Sequence, residues 1–471
     1  MRLVVVLVGC AACSVKDPLF CELPDHPCLD PARPFCDESA AYPASEGIRK
    51  TCIPSPFDAA VVDAKPRVCA PNQKICSAGA YTECDGTGQI AASLTCGPLG
   101  CNAGSTACVD IDPSNKLAAQ LDMTPGAPTV VLTGAATIDT DNATVTNGDG
   151  MAIAVPTASV TQNGGLPSIT VFRFKALDVE DVTVTGTNAI AIVADGDVII
   201  RGHMDVSSRH AGLPFYEPLG GPGAMTAADP CQGTQGTGKG GSGGGGRFYA
   251  GAKGGDGGGS GGAMGGSTYL TPLNEPLVGG CGGGHGTGDT LALAGVGGGA
   301  FQISSRTRIT LQSTAVIDAG GGGGYASGSI AVGGAGGGAG GAILLEAPQV
   351  DVSVSGAVMA ARGGGGASSA GQNSAATPMP GQDGDASAKI AAGGSCSGCA
   401  SGGEGQELVW APNGGTLSGP LPGSAGAVCG GGGGGATGVV VLRTESGAPT
   451  IKATIYAWLT LSKIATRDRT K

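Results

Sequence analysis

Residues 333–366 read GGAGGGAGGAILLEAPQVDVSVSGAVMAARGGGG. A glycine tract gives way to an apolar strand, a polar turn, a second alternating strand, a corner at Gly356 and a third short strand, and then glycine resumes. The same plan recurs at Ala189–Val206 (AIAIVADGDVIIRGHMDV), at Ala300–Ala319 (AFQISSRTRITLQSTAVIDA) and, truncated, from Val439 (VVVLRTESGAPTIKATI). One such unit cannot bury its inward face alone, so copies must stack. Ile192, Ile200, Ile303, Leu311, Leu345 and Val352 are the expected inward residues. They are small to medium aliphatics, suited to a narrow core. The predicted fold is all-β, a right-handed parallel β-helix (solenoid) over residues 120–471 that carries long glycine-rich inserts at about 207–299, 320–341 and 361–438. A β-sandwich is the alternative. Against it, each copy restarts with the same alanine-plus-aliphatic strand after a glycine tract.

Upstream of the copies, Thr129–Leu132, Met151–Val155, Ile169–Phe174 and Val179–Val184 read as short strands punctuated by Gly, Asn, Asp and Pro. Residues 211–440 hold 73 of the 91 glycines. These tracts admit two readings. They are flexible loops, or they are extended polyproline-II-like chains packed side by side, where only glycine permits so close a backbone approach and where backbone groups pair between chains.

Composition removes several classes. There is no Gly-X-Y period, so the chain is not collagen. Apolar content of 41% argues against wholesale disorder. A formal charge of −11 argues against nucleic-acid partners, which need clustered Lys and Arg. Seventeen cysteines point to an oxidising compartment. Residues 1–13, MRLVVVLVGCAAC, read as an export signal, with Leu7-Val8-Gly9-Cys10 like a bacterial lipobox and Cys10 as the acylated residue. The expectation is a membrane-tethered lipoprotein of the outer membrane or cell surface, with plain secretion as the alternative.

Two cysteine-rich modules follow. Residues 14–55 hold Cys21, Cys28, Cys36 and Cys52; residues 68–110 hold Cys69, Cys76, Cys84, Cys96, Cys101 and Cys108; the Pro/Ala/Asp stretch 56–67 is a spacer. Modules this small need staples, and the spacings suit disulfides better than zinc. All ten are expected to pair within the N-terminal region. Cys231 and Cys281, alone between Cys108 and Cys396, are expected to bridge the largest insert.

With GGAGGGAGGAILLEAPQVDVSVSGAVMAARGGGG as its clearest segment, the stretch from about 185 to 445 resembles the glycine-rich β-helix proteins of Gram-negative cell surfaces, of which filamentous-haemagglutinin-type adhesins are the best known. The layout of lipobox, cysteine modules and glycine-rich solenoid resembles exported lipoproteins of that kind. The resemblance implies a structural or adhesive surface protein whose partners are the membrane, through the lipid, and glycans or other surface proteins. It carries over no catalytic residue, metal or cofactor.

Chemical motifs are few. Gly233–Gly240 (GTQGTGKG) nearly matches a phosphate-binding P-loop, but no strand precedes it and no helix follows. Ser242 and Ser260 sit in G-x-S-x-G strings that arise from composition. Gly284-His285-Gly286, with Asp289 nearby, is like an element of pectin-hydrolysing β-helix enzymes, which makes a polysaccharide-active enzyme the alternative to a non-enzymatic protein. Cys396-Ser397-Gly398-Cys399 lacks a thioredoxin context and suggests a local disulfide, or pairing of one of the two with Cys429. Asp139, Asp141 and Asp149 read as solvated turns.

Overall fold

The computed structural model describes residues 35–36, 52–53, 68–210, 218–225, 230–269, 275–287, 292–325, 332–371, 377–387, 389–410, 416–426 and 428–470. The expected lipid-bearing Cys10, with Cys21 and Cys28, lies outside them. The chain forms two compact units, one of residues 1–75, 81–94 and 471, the other of 76–80 and 95–470. In the first, Phe35–Cys36 pairs antiparallel with Cys52–Ile53, which sets Cys36 opposite Cys52, and Cys69 is bonded to Cys84.

The second unit is almost entirely β, and its strands pair in parallel from one sequence repeat to the next. The first ladder runs Ile169–Phe174, Ala189–Ala194, Ala300–Ser305, Ala342–Glu346, Val439–Thr444 and Trp458–Lys463. The second joins Leu177–Val179 to Val198–Ile200, Arg308–Leu311 and Gln349–Asp351. The third joins Val182–Thr183 to His203–Asp205, Val316–Asp318, Val358–Ala360 and Thr454–Tyr456. Two long strands, Thr129–Asp139 and Ala176–Thr185, pair with each other and span both the second and third ladders, with a register shift between Val179 and Asp181.

Register carries the core. Ile192, Ile303, Leu345 and Leu442 form one buried column, which ends at the exposed Leu461, and Met204, Ile317, Met359 and Ile455 form another. All six expected inward residues are fully buried in the one large aliphatic cluster. The first ladder is buried on both faces, which is why AIAIVA at 189–194 shows no polar alternation. Its outer face lies under Ile111, Leu117, Leu121 and Ile464. Here the expected module boundary at residue 110 is not a break. Cys108–Ile111 pairs antiparallel with Thr466–Arg469 near the other end of the chain, and residues 111–121 continue straight onto the ladder. Cys76–Cys101 and Cys96–Cys108 are bonded within this unit.

The copy from Val439 is less truncated than its sequence suggests. Residues 445–453 make a wide turn that returns to the preceding copy at its two ends, Glu445 N donating to Pro348 O and Lys452 and Ala453 N to Val352 O beside the Ile451–Val352 bridge, so the middle strand loses its alternation while the third strand survives at Thr454–Tyr456.

The glycine tracts, where described, are ordered. In residues 239–247 every amide from Gly241 to Gly246 is spent on a neighbouring chain. Gly241 and Gly244 donate to Gly255 and Ala252, Ser242 and Gly245 to Gly334 and Gly337, Gly243 and Gly246 to Thr234 and Cys231, all at 2.7–3.0 Å. The carbonyls of Gly241 and Gly244 accept from Ala263 and Gly266, those of Ser242 and Gly245 from Gly433 and Ala436, and that of Gly243 from Gly284. Partners repeat every third residue, the period of a polyproline-II helix, and this chain touches six neighbours. Residues 332–341 and 428–438 follow the same rule. In the latter, Gly430, Gly433 and Ala436 donate to one chain and Gly432, Gly435 and Gly438 to another. A methyl group at Gly241, Gly244 or Gly432 would overlap the carbonyl oxygen of Gly431, Gly434 or Ala335. Glycine serves close approach here, since none of these three has a positive φ. Cys231 and Cys281 are bonded, with Cα atoms 5.8 Å apart, and so clip two chains of this bundle together. Phe248, at the end of one bundle chain, stacks on Trp458 of the last first-ladder strand, centroids 4.8 Å apart.

Candidate functional site

The bundle decides what the sequence motifs can do. Gly233–Gly240 is the turn between two extended chains, with Gly238 at φ 59° and Gly240 donating to Thr237 O. The amides that follow it are already paired, so they cannot cradle a phosphate. Ser242 is fully buried; its hydroxyl accepts from Gly236 N at 2.9 Å and donates to His285 O. Ser260 Oγ accepts from Lys239 N at 3.3 Å. Both serines fasten bundle chains, and among the described residues no general base is hydrogen-bonded to either hydroxyl.

His285 is exposed, and it opens onto a cleft of about 490 Å³. Ala294 N–H donates to its Nδ1 at 3.4 Å, which leaves Nε2–H as the outward donor. Glycine backbone makes most of the wall; Thr187, Asn188, Met225 and Gln232 add side chains, and Gln232 Oε1 is buried without a hydrogen-bond partner. Among the described residues no carboxylate lines this cleft, and Asp289 lies outside them. Thr187 and Asn188 are held by Asp141, whose Oδ1 accepts from both. Asp139 Oδ1 accepts from the amides of Asp141 and Asn142, and Asp149 from Met151 N. These aspartates tie turns.

A second cleft, of about 690 Å³, lies beside the third ladder. Tyr325, Gln382, Asp383, Asp385 and Lys389 line it. Asp383 accepts from Gly323 N at 2.6 Å and Asp385 from Ser387 N at 3.0 Å. Beneath lies Asp318, in register with Asp205 and accepting from the amides of Gly320 and Ala386. Burial, helped by the negative charge of Asp205 and Asp385, pushes its carboxyl up to about 7 against the pull of those two amides.

Two buried charge networks fasten residues 108–124 to the first ladder. Arg306 reaches Asp110, Asp122 and Asp195 at 3.0, 2.8 and 2.7 Å, and Arg467 joins the same pair of aspartates, Asp110 and Asp122. Glu346 is gripped by Arg443 at 3.0 Å, by Gln302 and Ser304, and by Ser114. Burial pushes the Glu346 carboxyl up, opposed by Ser114 and Arg443. No local sequence motif marks these groups. Their signal was there, since Ser304, Glu346 and Arg443 occupy one aligned position in successive copies.

Of the remaining cysteines, Cys396 and Cys399 are bonded to each other and Cys429 is a buried free thiol. The Sγ atoms of Cys76, Cys96 and Cys108 lie within 4.8 Å of one another, yet each is committed to a disulfide, so the cluster offers no zinc ligand set. Comparison with protein-family models, with curated proteins and with solved structures finds no match.

Proposed function

We propose that the three parallel ladders are the faces of a right-handed β-helix, and that the chain is a non-enzymatic, structural or adhesive surface lipoprotein, tethered through Cys10 and built to hold a rigid glycine bundle outward. The observation that carries this reading is the expenditure of the bundle's backbone. Nearly every amide in its central chains is used to pack another chain, which yields a stiff body. Its cleft at His285, which no carboxylate lines among the described residues and which offers an imidazole N–H, amide side chains and glycine backbone, suits an uncharged glycan. The test is a glycan and cell-binding array on the purified protein, run beside an assay for reducing ends released from polysaccharides. Binding without release is expected, with binding weakened by His285→Ala. A polysaccharide-active enzyme is the second reading, favoured by the carboxylates Asp383 and Asp385 in one cleft above a buried Asp318. Release of reducing ends that Asp385→Asn abolishes would establish it instead.

A further inference from the structure

One wall of the His285 cleft is set from the turn that follows Thr129–Asp139. Asp141, which does not itself line the cleft, accepts at Oδ1 from Thr187 N and Thr187 Oγ1, both at 2.8 Å, and from Asn188 Nδ2 at 3.2 Å. Asn188 Nδ2 also donates to Thr140 O at 3.3 Å. Gly186 permits this approach: its φ is 102°, and a methyl there would overlap Thr140 Oγ1 and Asp141 N. In the same cleft Gln232 Nε2 donates to Gly283 O at 3.5 Å, and Gln232 Oε1 is buried without a partner.

The polarity of these three side chains follows. Thr187 spends its hydroxyl hydrogen on Asp141, Asn188 spends Nδ2 on Asp141 and Thr140, and Gln232 turns Nε2 to Gly283. What each has left is an oxygen: Thr187 Oγ1, Asn188 Oδ1 and Gln232 Oε1. Among the described residues no lysine or arginine lines the cleft, and His285 adds the donor Nε2–H. We infer that the cleft takes a neutral glycan by the glycan's own hydroxyl hydrogens, and that Asp141 is the positioning residue that sets its wall as an acceptor. This inference rests on the reading of the cleft as a glycan site and narrows the class. A hydroxyl-rich, uncharged sugar supplies the donor that Gln232 Oε1 lacks. The carboxylates of a uronate polymer would bring acceptors to acceptors, with no cation there to meet them.

The test measures binding of the full chain to cellotetraose, mannotetraose, xylotetraose and the β-1,4-linked tetramer of glucuronate, which differs from cellotetraose only in its terminal carboxylates on each ring. At least one neutral probe should bind, about tenfold more tightly than the glucuronate tetramer. Asp141→Ala should weaken that neutral probe by about tenfold without weakening the glucuronate tetramer, because Thr187 and Asn188 are then free to donate. Asp149→Ala, which loosens a different turn, should leave both unchanged. Gln232→Lys replaces an acceptor by a cation and should reverse the order of the probes. The inference is overturned, with the glycan reading left standing, by any of three results: glucuronate binding as tight as neutral binding, neutral binding unchanged or both probes weakened alike in Asp141→Ala, or the original order kept in Gln232→Lys. Binding of no neutral probe by the unaltered chain would overturn both.

Discussion

The stacked strands and the glycine bundle belong to one compact unit and are stabilised in opposite ways. In the stack, backbone pairing is repetitive and side chains supply specificity, as in the column Ile192, Ile303, Leu345 and Leu442. In the bundle there are almost no side chains to pack, and specificity lies in which amide meets which carbonyl. The stack tolerates exchange of one aliphatic for another of similar volume. The bundle tolerates nothing larger than hydrogen at its contact positions, because there a methyl meets backbone, which has no rotamer to move to. Ordering so many glycines is costly in chain entropy, and each bundle chain meets that cost with bonds to as many as six neighbours.

The comparison is broken most severely by Gly432→Val. The added side chain meets Ala335 O and must force its own chain away from that neighbour, losing about 5 kcal/mol when overpacking and the broken hydrogen bonds are summed. Gly419→Ala is the control: open space surrounds that position, and denaturant unfolding should move by less than about 0.5 kcal/mol. Replacing Cys231 and Cys281 together by Ser removes a crosslink of sequence separation 50, worth about 4 kcal/mol in the loop-closure account; an unchanged urea midpoint would show that the bundle needs no clip. Leu345→Ala empties a site in the buried column and should cost about 3 kcal/mol, measured by the same titration.

The Gly419→Ala control aside, the smallest effect is a pH dependence. Asp318 holds its proton more tightly folded, near pH 7, than an unfolded Asp does. Below about pH 4 both states are protonated and nothing is lost. As pH rises toward 7 the unfolded chain ionises first, so stability falls, by about 2 kcal/mol between pH 4.5 and 6.5 from this group alone. Asp318→Asn should flatten that slope; an identical slope in the variant would place the effect elsewhere.

Much of the stack was legible in the sequence, because alternation and repeat length survive translation into strands. The copies at 189–206, 300–319 and 342–360 each give three paired strands. Two further tiers were read only as separate short strands, at Thr129–Leu132 and Val179–Val184. Thr129–Asp139 and Ala176–Thr185 each run through the corner as one long strand, with a register shift where Gly134 has φ 65°, so they lack the polar turn that marks a copy. The bundle was legible only as one of two options. Glycine carries no side-chain pattern, and a three-residue backbone period leaves no trace in a run such as GGGGGG. Register there comes from flanking residues with side chains, Cys231, Arg247, Cys281 and Arg362 among them. The charge networks escaped for another reason, since Asp110 and Arg306 are far apart in sequence and nothing local pairs them.

The most direct test of the central claim, that the glycine tracts are a packed body and not loops, is native-state amide hydrogen exchange on the purified protein, read by mass spectrometry over residues 239–247, 332–341 and 428–438. The account predicts protection comparable to that of Ala342–Glu346, since amides in all four segments donate to carbonyls of neighbouring chains. Exchange at the rate of an unstructured glycine-rich chain in those three segments, with Ala342–Glu346 still protected, would contradict it.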